Sequence, residues 1–576
     1  MNYSRLADTY EELEKTSAKL KKSSIISSLL READPKEMEK VVLLLQGKLF
    51  PVWSEKELGM ANQLMTKAIS SATGFSQEKI EEKFKRSGDL GLVVEELIRN
   101  KRQATLFRKK LTVEKVFENL QRIAEVEGKG SQDRKFSLIS ELIGSAEANE
   151  AKYIVRTALG ELRIGVAEGI VRDAIAEAFL PGDKEAVNAI EWAFFLTGDY
   201  GQVACLAKEK GVHGLKDVRL EIGRPIQVLL AEKSPSLKDA LESFDECAIE
   251  FKYDGARVQI HKKGEKMWLY TRRLENITKQ FPDLVEMARK HVRGDDFIIE
   301  GEILAVDKIS HRPMPFQLLS QRIHRKYDIE DMVKQIPIQV NFFDIIHLNG
   351  KSFFDVPFKE RRRTLESIIA TVPGKFQLAE ELVTKDEKKA EAFYKKALEA
   401  NQEGVMVKNL QATYQPGRRV AGGWLKVKPT MENLDLAIVG AQWGTGKRAG
   451  WMGTFVLGVR DEKTGKFLEC GMMGTGLKEK DGEANKNGEI EKQGVTFQNL
   501  TKMLKPFIES DKSGSIKIKP KVVVEVAYEE IQKSPNYESG YALRFPRILR
   551  IRFDKGPQQS DTLERLERLY GQQGIK

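Results

Sequence analysis

Cysteine is nearly missing from this chain: Cys205, Cys247 and Cys470 are the three in 576 residues, far apart and without a CxxC pair. Neither a disulfide framework nor a four-cysteine zinc site can be assembled from them. Long apolar runs are missing too, since no stretch approaches the ~20 residues needed to cross a bilayer. The amino terminus, MNYSRLADTYEELEKTSAKL, is polar and helix-periodic, without the apolar region or cleavage site of a signal peptide. A soluble, intracellular protein is expected.

What is present is length and charge. A chain of 576 residues is too long for one core and calls for several domains, and its hydrophobic fraction of 41% is enough to build them. The net charge of +10 and pI near 9.0 come with 31% charged residues of both signs, which describes a folded surface with a basic excess. Such a balance suits a phosphate-rich partner without identifying one.

Residues 1–214 read as helix after helix and predict an all-α domain. In "WSEKEL", Ser54 and Glu57 stand at capping-box spacing with Trp53 and Leu58 placed for a hydrophobic staple, predicting a helix start. "TVEKVFENLQRIAEV" and "YIVRTALGELRIGVAEGIVRDAIAEAF" carry apolar residues at three- and four-residue spacing. Residues 215–428 mix short β-rich runs ("CAIEFKY", "RVQIHKKG", "FIIEGEILAVD", "IPIQVNFFDIIHL") with helical ones and predict an α+β domain. Residues 429–576 return to short strands separated by Gly-rich turns, the pattern of a small barrel with the OB-fold as one candidate. The expected fold is multidomain α+β.

The stretch "EFKYDGARVQI", residues 250–260, supports two readings. Asp-Gly between alternating residues is a strong hairpin signal, so Asp254 and Gly255 could simply join two strands. Alternatively Lys252 is a nucleophile with Asp254, Gly255 and Arg257 arranged around a nucleotide. Alternation along strands puts Glu250 with Lys252 on one face, Trp424 with Lys426 and Lys428 on another, and Glu300 with Glu302 on a third. "EGVMVK" adds Glu403 and Lys408. Several cations with two or three carboxylates suit a polyphosphate and Mg²⁺, which prefers carboxylate and phosphate oxygens. A lysine has a pKa near ~10.4 and is not nucleophilic when protonated; crowding by Lys426, Lys428, Arg257 and a metal ion would favour the neutral amine.

The ordered set "KYDGAR", "TRRLENIT", "EGEILAVD", "FFDIIHLNG", "EGVMVK", "WLKVK" and "RFPRILRIRFDK" resembles the motifs of ATP-dependent DNA ligases and mRNA capping enzymes. With "LRIG" and "GRPIQVLLA", the whole chain resembles the archaeal and eukaryotic replicative ligases. The resemblance implies that Lys252 becomes adenylated, that Glu250 contacts adenine, and that Arg257 and Arg272 contact nucleotide, ribose or phosphate. It implies Glu302 as a ribose or metal carboxylate, Glu403 as the second metal carboxylate, and Phe343, rather than Phe342, as the ring stacked on adenine. Lys426 and Lys428 would bind phosphate. Arg547, Arg550, Arg552 and Lys555 lie in the last motif, which orients the leaving pyrophosphate. The family's arginine between "YQPG" and "WLK" falls on Val420 here, so Arg419 is assigned in its place, with Arg418 the alternative.

The resemblance further implies ATP and Mg²⁺ as cofactors, nicked duplex DNA as substrate, a nucleoid-associated monomer, and a hinge at "KVKPTMEN". "QATLF", Gln103–Phe107, resembles a sliding-clamp contact, with an ordinary helix end as the plain reading. An RNA-joining or capping enzyme would share Lys252 without needing a helical front domain, and a non-catalytic duplex-binding protein would not need the set Lys252, Glu302, Glu403 and Lys426. An NAD-using relative would normally add a four-cysteine zinc site.

Overall fold

A computed structural model describes the chain except residues 55, 57, 101–109, 127, 129, 326, 418–421, 430, 445–447, 449, 479–494, 513–514 and 574–576. The chain forms two compact units, Met1–Val427 and Lys428–Lys576.

The first unit begins with helices running from Tyr3–Glu14 to Tyr200–Lys216 around one shared core. The Val113–Glu125 helix illustrates why they form. Thr112 caps it by accepting a hydrogen bond from the Lys115 amide at 3.1 Å, and Val116, Leu120 and Ile123 recur on its buried face. A short repeat punctuates the bundle. "SGDLG" and "TGDYG" each end a helix on a glycine at φ +63° and start the next with an aspartate cap, Asp89 or Asp199.

Two expectations differ from the structure. "WSEKEL" starts no helix among its described residues; the next helix begins at Asn62, and Glu57 lies outside the described residues. Trp53 is used elsewhere: its indole N–H donates to the Thr197 carbonyl at 3.2 Å and its ring lies under Arg224. The long periodic run is two helices, Ala148–Ala158 and Glu168–Phe179, because Arg163 (φ +58°) and Gly165 (φ +64°) turn the chain between them. Buried Lys22 holds that turn by donating to the carbonyls of Ile164 and Gly165.

The rest of the first unit contains two sheets. One has five strands in the order Glu232–Lys233, Trp424–Val427, Gly404–Asn409, Cys247–Lys252, Glu381–Val383. The other orders Lys266–Thr271, Ala256–Lys263, Asp296–Ala305, Ile338–Leu348 and Lys351–Ser352, with Phe376–Leu378 parallel to Ile338–Leu348. Asp254-Gly255 is therefore not a hairpin. The chain leaves the first sheet at Lys252 and enters the second at Ala256. Gly255 is required by close approach, since a Cβ there would sit 2.3 Å from the Ile303 carbonyl oxygen.

The second unit is strand-rich. Its seven-stranded sheet runs Phe467–Met473, Met452–Arg460, Leu434–Trp443, Ser515–Ile518, Ile508–Lys512, with Val523–Ala527 and Arg547–Ile551 branching from it. Leu434–Trp443 divides one edge between two partners: residues 434–437 pair with Val523–Ala527 and residues 440–442 with Ser515–Ile518. Among the described residues no pairing closes this sheet into a ring. Helices Phe497–Leu504 and Leu563–Gln572 cover its core. No helix among the described residues is long and apolar enough to cross a membrane.

Candidate active site

Lys252 is the last residue of its strand, where buried Ile249 and Phe251 secure one face. Phe251 packs at 4.9 Å between ring centroids against Phe393 of the Glu387–Glu399 helix, so the opposite face is free to carry Glu250 and Lys252. Across the ladder Lys252 faces Gly404, and the preceding Glu403 donates its amide to the Lys252 carbonyl at 2.9 Å. The Glu403 carboxylate pairs with the Lys252 ammonium, both side chains being about one-fifth exposed. Crowding by cations is thus not what this structure presents to Lys252. Its immediate partner is an acid.

Glu302 lies in the neighbouring sheet, opposite Arg257. Its carboxyl is pushed up to about 7, chiefly by burial, with Lys252 and Arg257 pulling it down and Glu403 and Asp254 pushing it up. Arg257 is clamped: it donates to Glu300 at 2.7 Å and to the Leu229 carbonyl at 2.7 Å, and its guanidinium lies over the rings of Phe343 and Trp424. Phe343 is nearly buried and meets Trp424 edge-on at 5.8 Å. Phe342 points to the other side of its strand, into the core of the second sheet.

Glu250 is 2% exposed. Its Oε2 pairs with Lys408 at 2.5 Å, and Arg362 lies 3.5 Å from Oε1, yet Oε1 accepts no hydrogen bond. A buried carboxylate oxygen without a donor is costly unless a ligand supplies one. Lys408 is boxed in by Phe343, Phe358 and Trp424, at 4.2 to 4.7 Å from their ring centroids. Burial lowers its pKa, against the opposing pull of Glu250 and Asp344. Lys426 stands in the same row as Glu250, with Met406 between them. Arg272 is exposed just beyond the Lys266–Thr271 strand. Arg418 and Arg419 lie outside the described residues.

Lys428, Arg547, Arg550, Arg552 and Lys555 belong to the second unit. Lys428 donates to Glu529 at 3.4 Å, Arg550 to Glu525 at 2.5 Å, and Arg552 and Lys555 share Asp435. Arg547 is exposed.

With this geometry in view, similarity to known proteins decides the family. The model described as "ATP dependent DNA ligase domain" matches residues 228–428, "DNA ligase N terminus" matches 2–176, and "ATP dependent DNA ligase C terminal region" matches 448–555. A DNA ligase of Nanoarchaeum equitans is 47% identical over 100% of this chain and 99% of its own, and one of Thermococcus fumicolans is 44% identical over the same shares. The chain belongs to the ATP-dependent DNA ligase family. A solved structure titled "Pmar-Lig_PreS3" aligns with a TM-score of 0.57 at 16% identity over 95% of this chain and 99% of that one, a likeness of fold.

Within this ligase-family site, sequence reasoning missed a supporting network. Arg257, Gln259 and His261 alternate along one face of their strand and all bond the segment 223–229. Gly223 donates to His261 Nδ1 at 3.1 Å, Ile226 donates to Gln259 Oε1 at 2.9 Å, and Leu229 accepts from Arg257. Tyr414 completes the network by accepting from the Leu229 amide at 3.2 Å and donating to Glu300 at 2.9 Å. Glu300, fully buried, thus gathers Arg257, Tyr414 and Gln259. The available signal was the polar alternation in "RVQIH", which puts three hydrogen-bonding side chains on one strand face.

The residues present fit a magnesium ion in the limited sense that such a site requires. Among the described residues no group of three or more His, Cys, Asp or Glu is arranged around a metal. Mg²⁺ commonly takes only one or two carboxylates and completes its shell with water and substrate phosphate. Glu302 and Glu403, coupled to one another and to Lys252, are the carboxylates available for that.

Proposed function

We propose that this chain is an ATP-dependent DNA ligase that seals nicks in duplex DNA through a lysyl-AMP intermediate, in replication, repair and recombination. The observation that carries the reading is Lys252 at a strand end between Glu403 and the Glu302–Arg257 pair, with the unsatisfied Oε1 of Glu250 two residues away.

Each side chain then has a task. Glu250 Oε1 accepts from the adenine amino group, held in place by Lys408 and Arg362. Phe343 lies against the base, and Arg257, Arg272 and Arg419 contact ribose and phosphate. Lys426 and Lys428 take phosphate, and Arg547, Arg550 and Lys555 orient pyrophosphate. Glu302 and Glu403 are the carboxylates for Mg²⁺, which would supply charge neutralisation at the phosphates. A Glu403 carboxylate turned to the metal would no longer pair with Lys252, and the amine, its proton passed to solvent, would be free to attack the α-phosphorus. The bond to the β-phosphate breaks and pyrophosphate leaves. AMP is next passed to the 5′-phosphate at a nick, and the 3′-hydroxyl displaces it.

We assign residues 1–214 to a helical DNA-binding domain, 215–428 to the adenylation domain and 429–576 to a domain of OB type, with the hinge at "KVKPTMEN". Nicked DNA is held through its backbone, so affinity falls steeply with salt. The protein acts as a monomer on intracellular DNA, with Gln103–Phe107, which lies outside the described residues, as a sliding-clamp contact.

Incubation with α-labelled ATP or GTP and Mg²⁺, followed by denaturing electrophoresis, tests the reading. The ligase takes label from ATP and loses it in Lys252→Ala; the labelled protein then seals nicked DNA. Label from GTP, or sealing confined to nicked RNA, would move the chain to the capping or RNA-joining branch. An unlabelled wild-type chain would leave only a duplex-binding protein.

A further inference from the structure

Glu250 has a second acid beside it. Glu250 and Glu381 are direct cross-strand partners on the Cys247–Lys252 and Glu381–Val383 strands, so their side chains share one face of the sheet. Like charges placed opposite one another destabilise a sheet unless something compensates them. Arg362 is the compensation: its Nη1 lies 3.5 Å from Glu250 Oε1 and its Nε 4.0 Å from Glu381 Oε2. Its remaining contacts fix it there, because Nε donates to Glu366 at 2.9 Å and Nη2 to the Ala379 carbonyl at 2.9 Å. The chain just before Glu381 is pinned as well. The Glu380 amide donates to the Tyr253 hydroxyl at 3.0 Å, and the Glu380 carbonyl accepts from the Phe251 amide at 3.3 Å.

This arrangement leaves hydrogen-bonding capacity over. Among the described residues, Glu250 Oε1, Glu381 Oε2 and Arg362 Nη1 are buried atoms without a hydrogen-bond partner. Burial and Glu250 raise the Glu381 carboxyl, against the pull of Arg362 and Lys408, so the four groups belong to one cluster. Two carboxylate oxygens on neighbouring strands match a group that carries two hydrogens on one atom. A primary amino group is such a group, and a carbonyl oxygen is its opposite. Among purines that difference falls at position 6, where adenine carries an amino group and guanine a carbonyl.

We propose that Glu381 is a specificity-determining residue for the nucleotide base: it accepts one hydrogen of the adenine 6-amino group while Glu250 accepts the other. This rests on the ligase reading above, in which Glu250 faces that amino group. A 6-carbonyl in the same place would turn its lone pairs towards two carboxylates. Both hydrogens of one nitrogen are thus read, and replacing one of them by methyl removes a charge-assisted hydrogen bond.

The test uses the full-length enzyme and measures, in single turnovers with Mg²⁺, the concentrations of ATP and of N⁶-methyl-ATP that give half-maximal adenylation. Wild type should need about tenfold more N⁶-methyl-ATP than ATP, the scale of one hydrogen bond to a charged group. In Glu381→Ala the ATP requirement should rise about tenfold while the N⁶-methyl-ATP requirement changes little, which brings their ratio near one. A side chain that only supported the sheet would raise both requirements together. A wild-type ratio near one, or the wild-type ratio retained in Glu381→Ala, overturns the proposal. Should that variant fail to fold, as judged by its melting temperature, Glu381→Gln decides. Its neutral amide accepts more weakly, so the ratio should fall about threefold, and an unchanged or higher ratio overturns the proposal. A wild-type chain that takes up no AMP from ATP removes the ligase reading as well, whereas normal wild-type adenylation with the wrong ratios removes this inference alone.

Discussion

Arginine is used in opposite ways at Arg361 in the first unit and at Arg550 in the second. Around the Lys252 site, Arg361 is fully buried and forked onto Asp344, with its remaining donor on the Val356 and Ala412 carbonyls. In the second unit, Arg550 is itself exposed and pairs with Glu525. A buried pair is costly to break because removing one partner strands the other's charge, whereas an exposed pair exchanges with water at little cost. The first arrangement fixes a backbone; the second keeps cations available. Asp344 adjoins Phe343, so Arg361 holds the strand that carries that ring.

That contrast is most exposed to refutation at Arg361. Arg361→Ala should lower unfolding stability by about 3–5 kcal/mol, the usual consequence of orphaning a buried charge; chemical denaturation measures it, and a loss below about 1 kcal/mol would erase the distinction between the units.

A smaller effect comes from pH. Burial pushes His261 down to about 3, with His347 nearby acting in the same direction. The unfolded chain therefore binds a proton there more readily than the folded one. The stability His261 contributes is complete above its ordinary value near 6.5 and is lost as pH falls towards 3. Between pH 6.5 and 5 the loss is about 2 kcal/mol. Melting curves across that range should show a shallower acid slope in His261→Gln than in wild type; equal slopes would mean that the segment 223–229 is not held by a neutral imidazole.

These sites also mark what could be read from the residues. Lys252 and Glu302 stood out because Glu250 with Lys252 and Glu300 with Glu302 interrupt apolar strands at two-residue spacing, and Glu403 because it ends the apolar run "EGVMVK"; the structure places the three in one electrostatic neighbourhood. Asp254-Gly255 was ambiguous because local turn chemistry is the same whether the chain returns to its own sheet or crosses to another. Only the long-range pairing with Ile303 and Glu302 distinguishes them. "WSEKEL" misled for a related reason: Trp53 has a more favourable tertiary use, on Thr197 and Arg224, than as a helix staple. Tyr414 was invisible since its two partners, Leu229 and Glu300, lie 185 and 114 residues away in sequence.

Tyr414→Phe removes one hydroxyl and probes that hidden network. It should cost about 1–2 kcal/mol of stability and raise the ATP needed for half-maximal adenylation, because Glu300 loses a donor and Arg257 a fixed partner. An unchanged ATP requirement alongside reduced stability would confine Tyr414 to the core. The smallest change is expected at Glu525→Gln, which frees Arg550 from an exposed pair and should alter stability by less than about 1 kcal/mol. A larger loss would mean that the second unit, too, relies on its surface arginines.

The account depends above all on which atom accepts the adenylate. Protein treated with ATP and Mg²⁺, digested and mapped by mass spectrometry, should carry one AMP on the peptide containing Lys252 and none on that peptide after exposure to pyrophosphate. An adduct on another residue, or no adduct on an otherwise folded protein, would contradict it.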